Sequence, residues 1–129
     1  MSIVIKSELE NLRIVENFVD DLSEELNLSN EIYGNILIAT LEAVNNAIIH
    51  GNKGNRDLNV FIDSSLDENG LHLIIKDQGP GFDYKNVPDP TAPENIEKIN
   101  GRGIFLMEKL SDKVEFRNNG SHVYLTFYA

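Results

Sequence analysis

The chain has 129 residues, the size of one compact domain, and a chain of this length buries roughly two-thirds of its extended surface without help from staples. Eleven Lys and Arg stand against 21 Asp and Glu, a formal net charge of −10, which excludes a sequence-independent grip on nucleic acid or on an anionic membrane. Cysteine is absent, so disulfides, thiolate zinc sites and a cysteine nucleophile are excluded as well.

The N-terminus, Met1 to Glu8, has neither a basic n-region nor a long apolar h-region, and no apolar run is read as long enough to span a bilayer; a cytoplasmic protein is expected. Ile3, Val4 and Ile5 form a short β-prone segment. Ser7 and Glu10 then make an S-x-x-E capping signature ahead of a helical pattern carried by Leu12, Val15, Phe18, Val19, Leu22 and Leu26. A second helix is signalled by Ser29-Asn30 and runs through Tyr33, Leu37, Leu41, Val44 and Ile48 to a stop at His50-Gly51-Asn52-Lys53-Gly54. Two alternating strands follow, Leu58 to Asp63 and Leu71 to Lys76, joined by Asp67-Glu68-Asn69-Gly70.

From Asp77 to Gly103 the pattern dissolves into Gly, Pro, Asn and Asp, a loop too long to be idle in a domain of this size. A helix from Gly103 to Leu110 and a hairpin, Val114–Arg117 and Val123–Tyr128 around Asn118-Asn119-Gly120, close the chain. The order predicts an α+β fold: a two-layer α/β sandwich, a mostly antiparallel mixed sheet with helices packed on one face, in one domain over 1–129.

The second helix carries an unusual stripe. At roughly 100° per residue, Leu37, Leu41, Val44 and Ile48 share one side, and Glu42, Asn46 and His50 fall opposite within an arc of roughly 80°. The flanks, Ile36, Ile38, Ala43, Ala47 and Ile49, are apolar, so the helix reads as buried almost all round. A carboxylate and a carboxamide there need partners. A ligand pocket and a satisfied polar core both meet that need, and the small Ala39 and Ala43 leave room for the pocket. Glu42 and Asn46, four residues apart, stand one above the other. An amide oxygen from Asn46 suits Mg²⁺, which takes one or two protein oxygens besides water and phosphate, and Glu42 can accept a proton from an attacking hydroxyl.

Asp77-Gln78-Gly79-Pro80-Gly81-Phe82 follows a strand, and its glycines allow close backbone approach. By composition this is a plain turn; Asp77 adds an acid at the strand end able to accept from an amino group such as adenine N6. Asn100-Gly101-Arg102-Gly103-Ile104 opens the third helix, where free backbone N–H groups and Arg102 could hold phosphate; a capping turn fits the same residues.

Glu42-Ala43-Val44-Asn45-Asn46-Ala47-Ile48-Ile49-His50-Gly51 resembles the N box of the GHKL ATPases, Asp77-x-Gly79-x-Gly81 their first glycine box and Gly101-x-Gly103 their second. The E-A-x-x-N-A-x-x-H-G form is most similar to that of the partner-switching anti-sigma factor serine-protein kinases, and the boxes extend the resemblance over nearly the whole chain.

The resemblance implies a histidine kinase-like ATPase domain with a Bergerat-type ATP site between helices and sheet. In it Asn46 coordinates Mg²⁺, Glu42 is the catalytic base, Asp77 binds the adenine amino group, Gly79 and Gly81 shape that pocket, and Gly101, Arg102 and Gly103 close on the phosphates. Residues 83–100 become a mobile ATP lid. The implied activity is transfer of the γ-phosphoryl group to a serine or threonine of a STAS-domain antagonist, by a homodimer that captures a sigma factor. Within this superfamily, the length is expected to leave no room for the extra domains of histidine kinases or gyrase-like ATPases. A nucleotide-gated sequestration module with little or no kinase activity is the other reading of the same boxes; Glu42 weighs toward kinase, since binding needs no base. For His50, a backbone bond and a phosphate contact both stay open. Lys53 reads as solvated and Asn45 as structural.

Overall fold

Alternation of Ile3 and Ile5 makes β1 (Ser2–Lys6), which lies antiparallel to β2 (Asn59–Asp67) with Ile5 opposite Val60 and Ile3 opposite Ile62. The computed structural model describes residues 1–80, 99–118 and 120–128, with the backbone alone at 99–102. β2 turns into β3 (Gly70–Lys76) at Glu68 and Asn69, where Asp67 Oδ1 accepts from the N–H groups of Asn69 and Gly70 at 2.8 and 3.2 Å. β2 thus runs past the expected end at Asp63. The ladder continues through Ser64, Ser65 and Leu66, whose backbone pairing persists after their apolar alternation has stopped.

β3 pairs with β5 (His122–Tyr128), and β5 with β4 (Lys113–Arg117), giving the order β1-β2-β3-β5-β4 with all four pairings antiparallel. Helices α1 (Leu12–Leu26), α2 (Asn30–Asn46) and α3 (Ile99–Leu110) complete the expected α+β architecture. Val60, Ile62, Leu73, Ile75 and Leu125 of the sheet are wholly buried with Val15, Val19, Val44 and Met107 of the helices, each such side chain stabilising the fold by roughly 1.5–3 kcal/mol.

Ser29 caps α2 as expected, its hydroxyl accepting from the Ile32 N–H at 3.3 Å, and α1 ends at Asn27 in the left-handed region. The capping box at Ser7 does not form. Ser7 Oγ instead donates to the Leu58 carbonyl at 3.0 Å, a short 3₁₀ turn spans Leu9–Asn11, and α1 starts without a side-chain cap.

The faces of α2 also differ from the pattern. Ile36, Ala39, Thr40, Ala43, Val44 and Asn46 are buried, Leu37 and Leu41 are half-buried, and Ile38 and Ile49 are 44% and 39% exposed. The helix packs on the sheet by its small and β-branched side, which leaves the opposite isoleucines in the open. With the turn that continues it, the stretch Asn30–Gly51 is long and apolar enough to cross a bilayer, contrary to the sequence expectation; its packing into the sheet core accounts for that apolarity.

Candidate nucleotide site

Asn46 closes the regular part of α2 at 2% exposure, and neither its Oδ1 nor its Nδ2 has a partner among the described residues. A buried amide atom left unpaired costs about 1–3 kcal/mol, so a native fold keeps one only for a reason. Glu42, one turn earlier and half-buried, is brought to the same place. A Cβ at Gly103 of α3 would stand 3.0 Å from Glu42 Oε2 and 3.3 Å from both polar atoms of Asn46. α3 therefore meets this carboxylate and carboxamide with bare backbone. A hard, unpaired amide oxygen beside a carboxylate fits Mg²⁺ chemistry.

Beyond Asn46 the helix widens into one π turn, Ala47–Gly51, in which the Asn52 N–H reaches the Ala47 carbonyl at 2.8 Å and the Gly54 N–H the Ile48 carbonyl at 2.8 Å. Lys53 and Gly54 turn the chain away with φ of 54° and 70°. The π turn carries Gly51 beneath the end of β3. A Cβ at Gly51 would overlap the Asp77 carboxylate, and one at Gly79 would collide with the Gly51 carbonyl. Gly51, Asp77 and Gly79 form one close-packed step that admits no side chain at either glycine.

Asp77, 8% exposed, donates its N–H to the Ser121 carbonyl at 2.9 Å, and its Oδ1 accepts from the Gly79 N–H at 2.9 Å. Burial pushes its carboxyl up to about 6, partly offset by that Gly79 N–H. The acid is thus poised to take an amino donor. Burial lowers the pKa of half-buried His50, disfavouring its charged form. Lys53 is exposed, as its solvated reading expects.

The structure so brings Glu42, Asn46 and Gly103 together, and Asp77 and Gly79 together with Gly51. Gly81 and residues 83–98 of the expected lid lie outside the described residues. Gly101, Arg102 and Gly103 fall inside α3, which begins at Ile99 rather than at Gly103. Each glycine costs a helix about 1 kcal/mol, and the close seating of Gly103 on α2 is what offsets it. One residue escaped sequence reasoning: Asn52 read there only as the end of a helix, and Gly51, though part of the N-box pattern, was given no role, because the contacts that give them one are with residues 77–79, far along the chain.

A protein-family model described as "Histidine kinase-like ATPase domain" matches residues 5–127. The chain is similar to proteins named "Anti-sigma F factor" from Bacillus cytotoxicus, Bacillus thuringiensis and Bacillus mycoides, each 39% identical over 93 residues that cover 67% of this chain. The match spans 63% of the length of those relatives.

Proposed function

The chain belongs to the histidine kinase-like ATPase family, and from that premise we propose that it is a Mg²⁺- and ATP-dependent serine/threonine protein kinase that acts as an anti-sigma factor and phosphorylates a STAS-domain antagonist. The observation that carries this reading is the buried carboxamide of Asn46, without a partner among the described residues, beside Glu42. The name of the Bacillus relatives, anti-sigma F factor, supports the anti-sigma role. The proposal further takes a sigma factor as the captured partner, a homodimer as the active form and a cytoplasmic setting.

In this reading Asp77 accepts from the adenine amino group, and the close packing of Gly51 and Gly79 backbone to backbone sets where that carboxylate stands. Gly81 extends that pocket. Asn46 Oδ1 is the protein oxygen that would hold Mg²⁺, which when bound neutralises charge on the phosphates. Gly101, Arg102 and Gly103 face the phosphates, and residues 83–100 cover them as a lid within a single domain, 1–129. Glu42 takes the proton of the antagonist's hydroxyl as its oxygen bonds to the γ-phosphorus and the bond to the bridging oxygen breaks, releasing ADP. Most of the acceleration comes from holding the hydroxyl and phosphate in line.

The test is transfer of label from γ-labelled ATP to a STAS-domain antagonist by the protein and its Glu42→Ala variant. Label on a serine or threonine, lost in Glu42→Ala with nucleotide binding kept, is the expected result. Undiminished transfer by Glu42→Ala removes the base role. Nucleotide-dependent capture of a partner with no transfer by the parent protein assigns the chain to sequestration instead.

A further inference from the structure

Three successive backbone N–H groups of the 77–79 loop are each tied to a different place. Asp77 donates to the Ser121 carbonyl in the β4–β5 connection, Gln78 to Asn52 Oδ1 at 2.8 Å, and Gly79 to the Asp77 carboxylate. The middle tie is part of a closed circuit. Asn52 Nδ2 donates to the Asn59 carbonyl at 3.0 Å, the Asn59 N–H donates to Gln78 Oε1 at 2.7 Å, and the Gln78 N–H returns to Asn52. Asn52 Nδ2 also donates to Ser7 Oγ at 2.7 Å, and that hydroxyl in turn donates to the Leu58 carbonyl.

Asn52 is 2% exposed, and its carboxamide touches at once Ser7 just after β1, Asn59 at the start of β2 and Gln78 in the loop after β3. We propose that Asn52 is a positioning residue that holds the Asp77–Gly79 loop in its ligand-ready form before nucleotide arrives. The proposal rests on the nucleotide reading above and adds to it a residue outside the three boxes. Its physical content is preorganisation: a loop whose amides are already fixed does not have to be ordered by the ligand, so affinity is kept for the base itself. The π turn supplies the other half, since the bond from Asn52 N–H to Ala47 fixes the residue next to Gly51.

The test compares the parent protein with Asn52→Ala and with Gln78→Ala, an exposed position whose loss opens the circuit without touching the core. ADP affinity and dissociation rate, kcat at saturating ATP, and hydrogen exchange of the Gln78 and Gly79 amides are measured. Asn52→Ala is expected to weaken ADP by about tenfold through faster dissociation, with kcat nearly unchanged, and Gln78→Ala by a smaller factor. Exchange at Gln78 and Gly79 rises in both while Leu73 in β3 keeps its protection. Parent-like ADP dissociation and loop exchange in folded Asn52→Ala overturn the proposal, and the same result in Gln78→Ala overturns it if Asn52→Ala does not fold. A parent protein that binds no ADP overturns the nucleotide reading, and the exchange measurement then decides separately whether Asn52 holds the loop.

Discussion

The carbonyl oxygen of Gly51 occupies the place where a side chain on Gly79 would begin. Two glycines that are 28 residues apart in sequence, 79 − 51, therefore meet backbone to backbone beneath Asp77. The contact joins the end of the α2 rod to the end of β3, and it is possible only because the π turn swings Gly51 inward.

Gly79→Ala should push the loop off Gly51, because the atom in the way is backbone and cannot rotate aside. We expect a stability loss of roughly 1–3 kcal/mol and at least a tenfold loss of ADP affinity. Urea denaturation and calorimetric titration check both; an alanine variant with parent-like ADP affinity would contradict the close-packed step.

Replacing Asn46 by leucine, of similar size, removes two buried polar atoms that have no partner among the described residues. The nucleotide-free protein should gain roughly 1–3 kcal/mol in urea denaturation and lose Mg²⁺-dependent ADP binding. A destabilised Asn46→Leu protein would mean that the amide is satisfied in the folded state.

Burial pushes the Asp77 carboxyl up to about 6 in the folded chain, from an ordinary value of 3.8. The folded state therefore holds the extra proton, and the contribution to stability, present below about pH 4, is lost as pH rises to about 6, by an amount on the order of 2–3 kcal/mol. Adenine affinity should run the other way, rising as the carboxylate loses its proton. Unfolding followed from pH 4 to 7 should show this slope in the parent and not in Asp77→Asn.

Thr40 on the sheet side of α2 is wholly buried with its hydroxyl unpaired among the described residues. Nothing else in the site touches its role, so Thr40→Val should raise stability by about 1 kcal/mol with ADP affinity unchanged. A fall in either would place the hydroxyl in a bond within the core.

Element types and order were legible because their periods are strong: the α1 stripe of Val15, Phe18, Val19 and Leu22 and the alternation in β2 and β3 are found as expected. Glu42, Asn46, Asp77 and Gly79 were singled out through residue chemistry at fixed spacing, and the structure sets the first two against Gly103 and the last two against Gly51. What the pattern could not carry was long-range. Ser7 abandons its cap for Leu58 and Asn52, β2 extends past its apolar residues on pairing alone, and α3 begins before two glycines because α2 supports it. The exposure of Ile38 and Ile49 shows the limit of hydrophobicity as a guide to burial when a helix is apolar on several sides.

The most direct test of the site is thermal unfolding with ADP, with and without Mg²⁺, on the parent protein, Asn46→Ala and Asp77→Asn. At about 100 times Kd, ligand should add roughly 2.7 kcal/mol, a rise of several degrees in Tm for a domain of this size. The predicted result is a Mg²⁺-dependent rise in the parent that both variants lose. A parent protein whose Tm does not move with any adenine nucleotide would contradict the nucleotide site altogether.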